Sequence, residues 1–101
     1  MFKSGGNWIS PVDVEAALAT HPKVFEVAVV GHPDGSGNLK PKAFVVLNDP
    51  RTQSISLVKE LQSRVKESIE LWKYPRWIEF RTELPKTGTG KIQRFKLRTE
   101  R

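Results

Sequence analysis

Near its C-terminus the chain reads Leu84-Pro85-Lys86-Thr87-Gly88-Thr89-Gly90-Lys91-Ile92. These types at this spacing describe a loop that could handle an anion. Gly88 and Gly90 open backbone angles closed to other residues, and Thr87 and Thr89 bring hydroxyls. Lys91 adds a point charge on a long stem, suited to a carboxylate or phosphate oxygen. The loop is not a nucleotide P-loop, whose pattern is Gly, four residues, Gly-Lys and then Ser or Thr. Pro85 stands where the first glycine must be, and Ile92 where the magnesium-binding hydroxyl must be. Arg81, Thr82 and Glu83 also interrupt the apolar strand that should precede such a loop. From the residues alone, a solvated lysine in a Gly-rich surface loop is an equal alternative to a chemical role.

Little other chemistry competes. The two histidines, His21 and His32, each adjoin a proline and read as loop residues, and with no cysteine in the chain no metal site is expected. The absence of cysteine also rules out disulfides and is compatible with a reducing compartment. A length of 101 residues suits one domain with a modest core. No apolar run nears the ~20 residues of a membrane span, and no signal peptide opens the chain. The expectation is a cytoplasmic protein with no membrane partner. The net charge of +6 is localised: residues 72–101 hold nine basic and three acidic residues, while residues 1–71 hold eight of each. Such a segment could meet nucleic acid, a phosphorylated small molecule or an acidic protein face, but no nucleic-acid-binding motif accompanies it.

The elements that must position the loop follow from periodicity and turn chemistry. Ser4-Gly5-Gly6-Asn7 is a turn signal before the apolar pair Trp8-Ile9. A helix is expected over about residues 11–20, with Ser10 as cap, Pro11 at its first position, Asp13 as capping-box acid and an Ile9–Val14 staple. Val14, Ala17 and Leu18 form its apolar face, and His21-Pro22 ends it. Val24–Gly31 and Ala43–Leu47 read as strands, joined by a loop too short for a helical crossover and hence antiparallel. Neither alternates cleanly, so at least one is covered on both faces. A second helix runs from Ser56 to near Leu71, with Leu57, Leu61, Val65 and Ile69 in one stripe. Trp77–Phe80 reads as a third strand and Gln93–Leu97 as one or two helical turns. The expected fold is a small two-layer α+β sandwich: about three strands, largely antiparallel, packed with two main helices, plus a short C-terminal helix.

Three segments carry a specific resemblance: Lys3 through Glu15, Val27-Ala28-Val29-Val30-Gly31, and Leu84 through Arg94. In order and spacing they are similar to the C-terminal domain of AMP-forming acyl-CoA synthetases, a superfamily that includes luciferases and peptide-synthetase adenylation domains. The resemblance covers essentially the whole chain. Leu39–Leu47, Lys73-Tyr74-Pro75-Arg76 and Lys91 through Arg98 look most like the benzoate-CoA ligase group.

The resemblance implies a swivelling lid on a large N-terminal domain that binds ATP, Mg2+ and the acid, and most of coenzyme A. In one orientation, a lysine matching Lys91 reaches the carboxylate and phosphate oxygens during adenylation. After a large rotation, the segment matching Ser4, Gly5, Gly6 and Asn7 helps to build the pantetheine tunnel. Trp72, Lys73 and Tyr74 match a segment that contacts the CoA nucleotide in some relatives, although Tyr74 replaces an arginine found there. Some relatives are switched off by acetylation of the matching lysine, which implies a lysine acetyltransferase and deacetylase as partners at Lys91. The resemblance further implies a chain that lacks its N-terminal domain, binds no cofactor alone and does not turn over alone. The alternatives are an adenylation subdomain serving a carrier protein and a standalone basic binding module. No DNA partner is expected.

Overall fold

The structure is a computed structural model and describes residues 2–4, 7–68 and 73–98. Two short strands, β1 (Phe2–Ser4) and β2 (Asn7–Ile9), pair antiparallel with Ser4 opposite Asn7. Helix α1 (Pro11–Ala19) follows, then strands β3 (Val24–Pro33) and β4 (Leu39–Leu47). A 3-10 turn at Pro50–Thr52 leads into helix α2 (Ile55–Ser68), strand β5 (Trp77–Arg81) and helix α3 (Arg94–Arg98).

Helix α1 forms where expected, with Ser10 at the N-cap position. Ser10 is extended (φ −89, ψ 114) and its hydroxyl makes no capping bond. Pro11 presets the first helical φ instead. Ile9 and Val14, both fully buried in one cluster, fix the angle of entry. At α2 the cap is a side chain, with the Ser54 hydroxyl accepting the Leu57 N–H at 3.0 Å. Its stripe Leu57, Leu61 and Val65 is buried, while Ile69 and the expected end near Leu71 lie outside the described residues.

The three-stranded sheet runs β3-β4-β5. Strands β3 and β4 are antiparallel, with Val27 opposite Val45, and they extend beyond the expected pairing to leave a connection of only Asp34–Asn38. Strand β5 is parallel to β4, with Phe44 opposite Glu79. The sheet is therefore mixed, not largely antiparallel: α2 carries the chain back along the sheet before β5 starts, as parallel pairing requires. A proline inside the central strand is tolerated because Pro41 precedes the β4–β5 ladder. Its carbonyl accepts the Arg76 N–H at 2.9 Å on that side, where no donor is needed from the proline nitrogen.

Each face of the sheet carries a buried apolar cluster. Val27, Val29, Ala43, Val45 and Leu47 pack against Val14, Leu18, Leu57, Leu61 and Val65 from the two long helices. On the other face Ala28, Val30, Phe44 and Val46 meet Leu84 and Leu97, with Ile92 against them. Five residues cannot sustain a helix alone, so α3 depends on this packing. Full burial of Leu97 contributes about 2 kcal/mol to holding it. Beyond this cover the second face turns polar. The Phe44 ring lies under Lys42 Nζ and Arg81 Cζ, each 4.9 Å from its centroid, and Glu79 bonds both cations.

The β1–β2 hairpin docks on the sheet at Gly31. A Cβ built there would lie 2.9 Å from Phe2 Cγ and 3.2 Å from Leu39 Cδ1. Gly31→Ala therefore displaces Phe2, and its measurable effect is faster amide exchange across β1 and β2 with little change in α2. Glu79 provides a pH test. Burial works to raise its pKa, but the Arg81 hydrogen bond and the charges of Arg81 and Lys42 outweigh it and hold the carboxyl low. Its stabilising contribution is fully present above the ordinary carboxylate range and is lost as pH falls below that range through the lowered folded-state value. The Tm gap between the natural chain and Glu79→Gln is thus widest near neutrality and closes in acid.

Candidate functional site

The lysine loop is a tight hairpin. An isolated antiparallel bridge pairs Lys86 with Ile92, and Thr87 N–H donates to the Lys91 carbonyl at 2.8 Å. Gly90 N–H donates to the Thr87 carbonyl at 2.9 Å, and Gln93 N–H to the Pro85 carbonyl at 2.8 Å. The threonines brace the turn from inside, since Thr87 Oγ1 accepts Lys91 N–H at 3.2 Å and lies 2.9 Å from Thr89 Oγ1. Their hydroxyls are thus engaged in holding the turn, not arrayed for a ligand. Only one of the two glycines uses a special angle: Gly90 has φ +87, whereas Gly88 is not in the left-handed region. Lys91 is exposed at the end of this turn, and among the described residues none hydrogen-bonds to or ion-pairs with its ammonium.

The cations on either side of Lys91 are tied down. Lys86 Nζ donates to Glu26 Oε1 on β3 at 2.6 Å. Arg94 grips Glu15 of α1 with two nitrogens, Nε reaching Oε2 at 2.7 Å and Nη2 reaching Oε1. Glu15 is buried and also accepts the Val29 backbone N–H at 2.7 Å, so its charge is fully engaged. The Glu15 hydrogen bonds hold the Arg94 guanidinium above its usual pKa, against the opposing effect of burial. Between these ties an apolar groove of about 360 Å3 is lined by Val12, Ala16, Ala19, Val27 and Ile92, with Glu15 and Glu26 at its edges. Glu15, Glu26, Lys86 and Arg94 were not legible as a group, because the Glu15–Arg94 contact spans 79 positions of sequence. The one local hint is an acid set between the apolar residues of α1.

The other expected site residues fall elsewhere. The backbone of Ser4 belongs to β1, while Gly5, Gly6 and Trp72 lie outside the described residues. Lys73 and Tyr74 are half-buried. Tyr74 packs against the main core with Lys66 Nζ 4.3 Å from its ring centroid, so a base stacking on that ring face would displace Lys66. Phe2 touches β3 at Gly31, and Arg76 bonds β4 at Pro41, directly opposite Gly31. Lys86 is tied to β3 at Glu26, five residues from Gly31 and hence roughly 17 Å along an extended strand. The hairpin and the Tyr74 segment thus attach near Gly31, while the lysine turn is tied at Glu26 on one flank and, through Arg94 and Glu15, at Val29 on the other. Among the described residues no group of three or more His, Asp or Glu could hold a metal ion. The basic C-terminal segment is partly neutralised, with Arg81, Lys86 and Arg94 each paired to a carboxylate.

Fold and site together describe a small α+β domain that presents one lysine on a braced turn. The chain belongs to the family of AMP-binding enzyme C-terminal domains, whose model matches residues 13–91. It is 50% identical over 99 residues to a benzoate–CoA ligase of Thauera aromatica, covering 98% of this chain and 19% of that protein. It is 48% identical over 103 residues to a 4-hydroxybenzoate–CoA/benzoate–CoA ligase of Rhodopseudomonas palustris, covering 97% and 18%. A crystal structure of the anthranilate CoA ligase AuaEII in complex with anthranoyl-AMP superposes with a TM-score of 0.92 at 54% identity, over 98% of this chain and 19% of that one. The chain spans about a fifth of the length of the curated relatives it matches.

The two glycines of the turn make contrasting predictions. Neither would bring a Cβ into contact with other atoms, but only Gly90 holds a φ that side chains resist. Gly90→Ala is expected to cost about 1 kcal/mol or more in thermal unfolding, and Gly88→Ala to be near neutral.

Proposed function

We propose that this chain is the mobile C-terminal domain of an acyl-CoA ligase that converts ATP, a carboxylic acid and CoA to acyl-CoA, AMP and pyrophosphate by way of an acyl-adenylate. The observation that carries this reading is Lys91, exposed on a braced turn with no acid partner among the described residues, in a chain of this family. In the first half-reaction a carboxylate oxygen attacks the α-phosphorus of ATP and pyrophosphate departs. Negative charge gathers on the oxygens of that centre, and the Lys91 ammonium, delivered to them, lowers the barrier. In the second half-reaction the CoA thiolate attacks the acyl carbon and AMP departs. The domain then presents a different part of its surface: Ser4, Gly5 and Gly6 border the pantetheine channel, and Trp72, Lys73 and Tyr74 lie toward the CoA nucleotide. The roughly 17 Å along β3 between Gly31, where the hairpin docks, and Glu26, beside the lysine turn, supports this reading, because the two segments occupy different places on the domain.

The large N-terminal domain is the partner in this scheme, and it binds ATP, Mg2+, the acid and most of CoA. The groove beside Lys91, apolar and with its flanking acids already neutralised, suits a face that docks against another domain. Aromatic acids are the substrates this reading favours, because two of the relatives at about half identity are benzoate–CoA ligases, while others at 48–49% are acyl-coenzyme A synthetases. Acetylation of Lys91 would remove its charge and silence adenylation.

The test is Lys91→Ala in a ligase assembled from this chain and the N-terminal part of the Thauera aromatica enzyme. Acyl-adenylate formation, followed by pyrophosphate exchange, should fall by about 100- to 1,000-fold. Thioester formation from supplied acyl-adenylate should change far less. Equal losses in both half-reactions would sink the assignment.

A further inference from the structure

We infer that Glu15 and Glu26 are positioning residues for the adenylation step: they form a two-point ionic clasp that holds the Lys91 turn in place and leaves Lys91 as its unclaimed cation. The inference rests on the proposed role of Lys91 and adds what sets that lysine in position.

The turn is braced within itself, but these internal bonds do not fix it to the rest of the domain. It is a hairpin closed by one bridge, followed by the five-residue α3, and its apolar anchors on the sheet are Leu84, Ile92 and Leu97. Those anchors lie at positions 84, 92 and 97, and the hydrophobic effect that holds them is not directional, so the stretch from Lys86 to Lys91 needs further ties to set its orientation. Ion pairs with fixed geometry are directional. The Arg94 fork matches the Glu15 carboxylate with two parallel bonds, which sets the plane of the guanidinium. Glu15 cannot follow the turn if it moves, because Oε2 also accepts the Val29 N–H at 2.7 Å and the side chain is only 12% exposed. On the other flank Lys86 reaches Glu26, whose side chain is 20% exposed.

The two clasped cations precede Lys91 by five residues and follow it by three. With Glu15 and Glu26 each already engaged, neither carboxylate is left to draw Lys91 back onto the domain. A flexible stem on a wandering turn would sample many positions. A fixed turn confines the ammonium to a small volume, and a misplacement of 1 Å can cost about 100-fold in rate.

Two measurements test this. In the assembled ligase, Glu15→Gln keeps an acceptor for Val29 N–H but removes the charge that grips Arg94. Adenylate formation should fall about 10- to 100-fold in kcat with little change in KM, while thioester formation from supplied acyl-adenylate stays within about 2-fold. Arg94→Lys, which keeps the charge and loses the fork, should lie between the natural chain and Glu15→Gln. In the 101-residue chain itself, Glu15→Gln should speed amide exchange at Thr87, Gly90 and Gln93 about 10-fold, with α2 unchanged. If Glu15→Gln does not fold, the more exposed pair takes its place: Glu26→Gln and Lys86→Met should give the same pattern to a smaller degree.

Unchanged exchange in the turn overturns the clasp whatever the activity. So do equal losses in both half-reactions, and so does an adenylation rate within 2-fold of normal when Lys91→Ala is inactive. If Lys91→Ala retains adenylation, the proposed role of Lys91 fails by itself, and the exchange data still decide whether the clasp exists.

Discussion

Strands β3 and β4 carry apolar side chains on both of their faces, and this constraint governs the rest of the domain. Val27 and Val29 point one way and Ala28 and Val30 the other, while Val45 and Phe44 divide likewise on the partner strand. A sheet of this kind cannot leave either face wet. The long helices α1 and α2 cover the first face. The second is closed by the segment after β5, whose Leu84, Ile92 and Leu97 complete a smaller core. The lysine turn therefore lies where it does because its flanks are needed as cover.

That arrangement explains how a loop rich in glycine and threonine can be well placed. The stretch from Leu84 to Leu97 is held at both ends by buried leucines and at intermediate points by Glu26 and Glu15. Within it the threonine hydroxyls and Gly90 serve the turn itself. The departures from a phosphate-binding loop are then reasonable, because the amides of Thr87, Gly90, Lys91 and Gln93 and the hydroxyl of Thr87 hold the turn together. What the turn offers outward is one ammonium.

Much of the fold was legible in local pattern. The periodicity of Leu57, Leu61 and Val65 marked α2 through burial of one repeating face, and the continuous β-branched runs marked β3 and β4, which are buried on both faces. Ser10 took the N-cap position that its type suggests, but its hydroxyl makes no capping bond, and Pro11 with the burial of Ile9 and Val14 sets the entry to the helix. The direction of β5 was not legible either, since parallel and antiparallel strands share one apolar signature. It depends on where α2 delivers the chain. The glycine-rich turn ending at Lys91 was legible from its composition, whereas the cover of one face of the Tyr74 ring by Lys66 was not, since it depends on where α2 places that lysine.

By itself the sequence determined the element types, the double-sided burial of the central strands and the lysine at the end of a glycine-rich turn. Each depends on residues within a few positions of one another, where steric and hydrophobic preferences act locally. Only the tertiary structure decided which carboxylates meet which cations: Glu15 with Arg94, Glu26 with Lys86, and none of the described ones with Lys91. These contacts join residues 60 and 79 positions apart. Electrostatic pairing depends on distance in space, and that distance exists only once both faces of the sheet are covered.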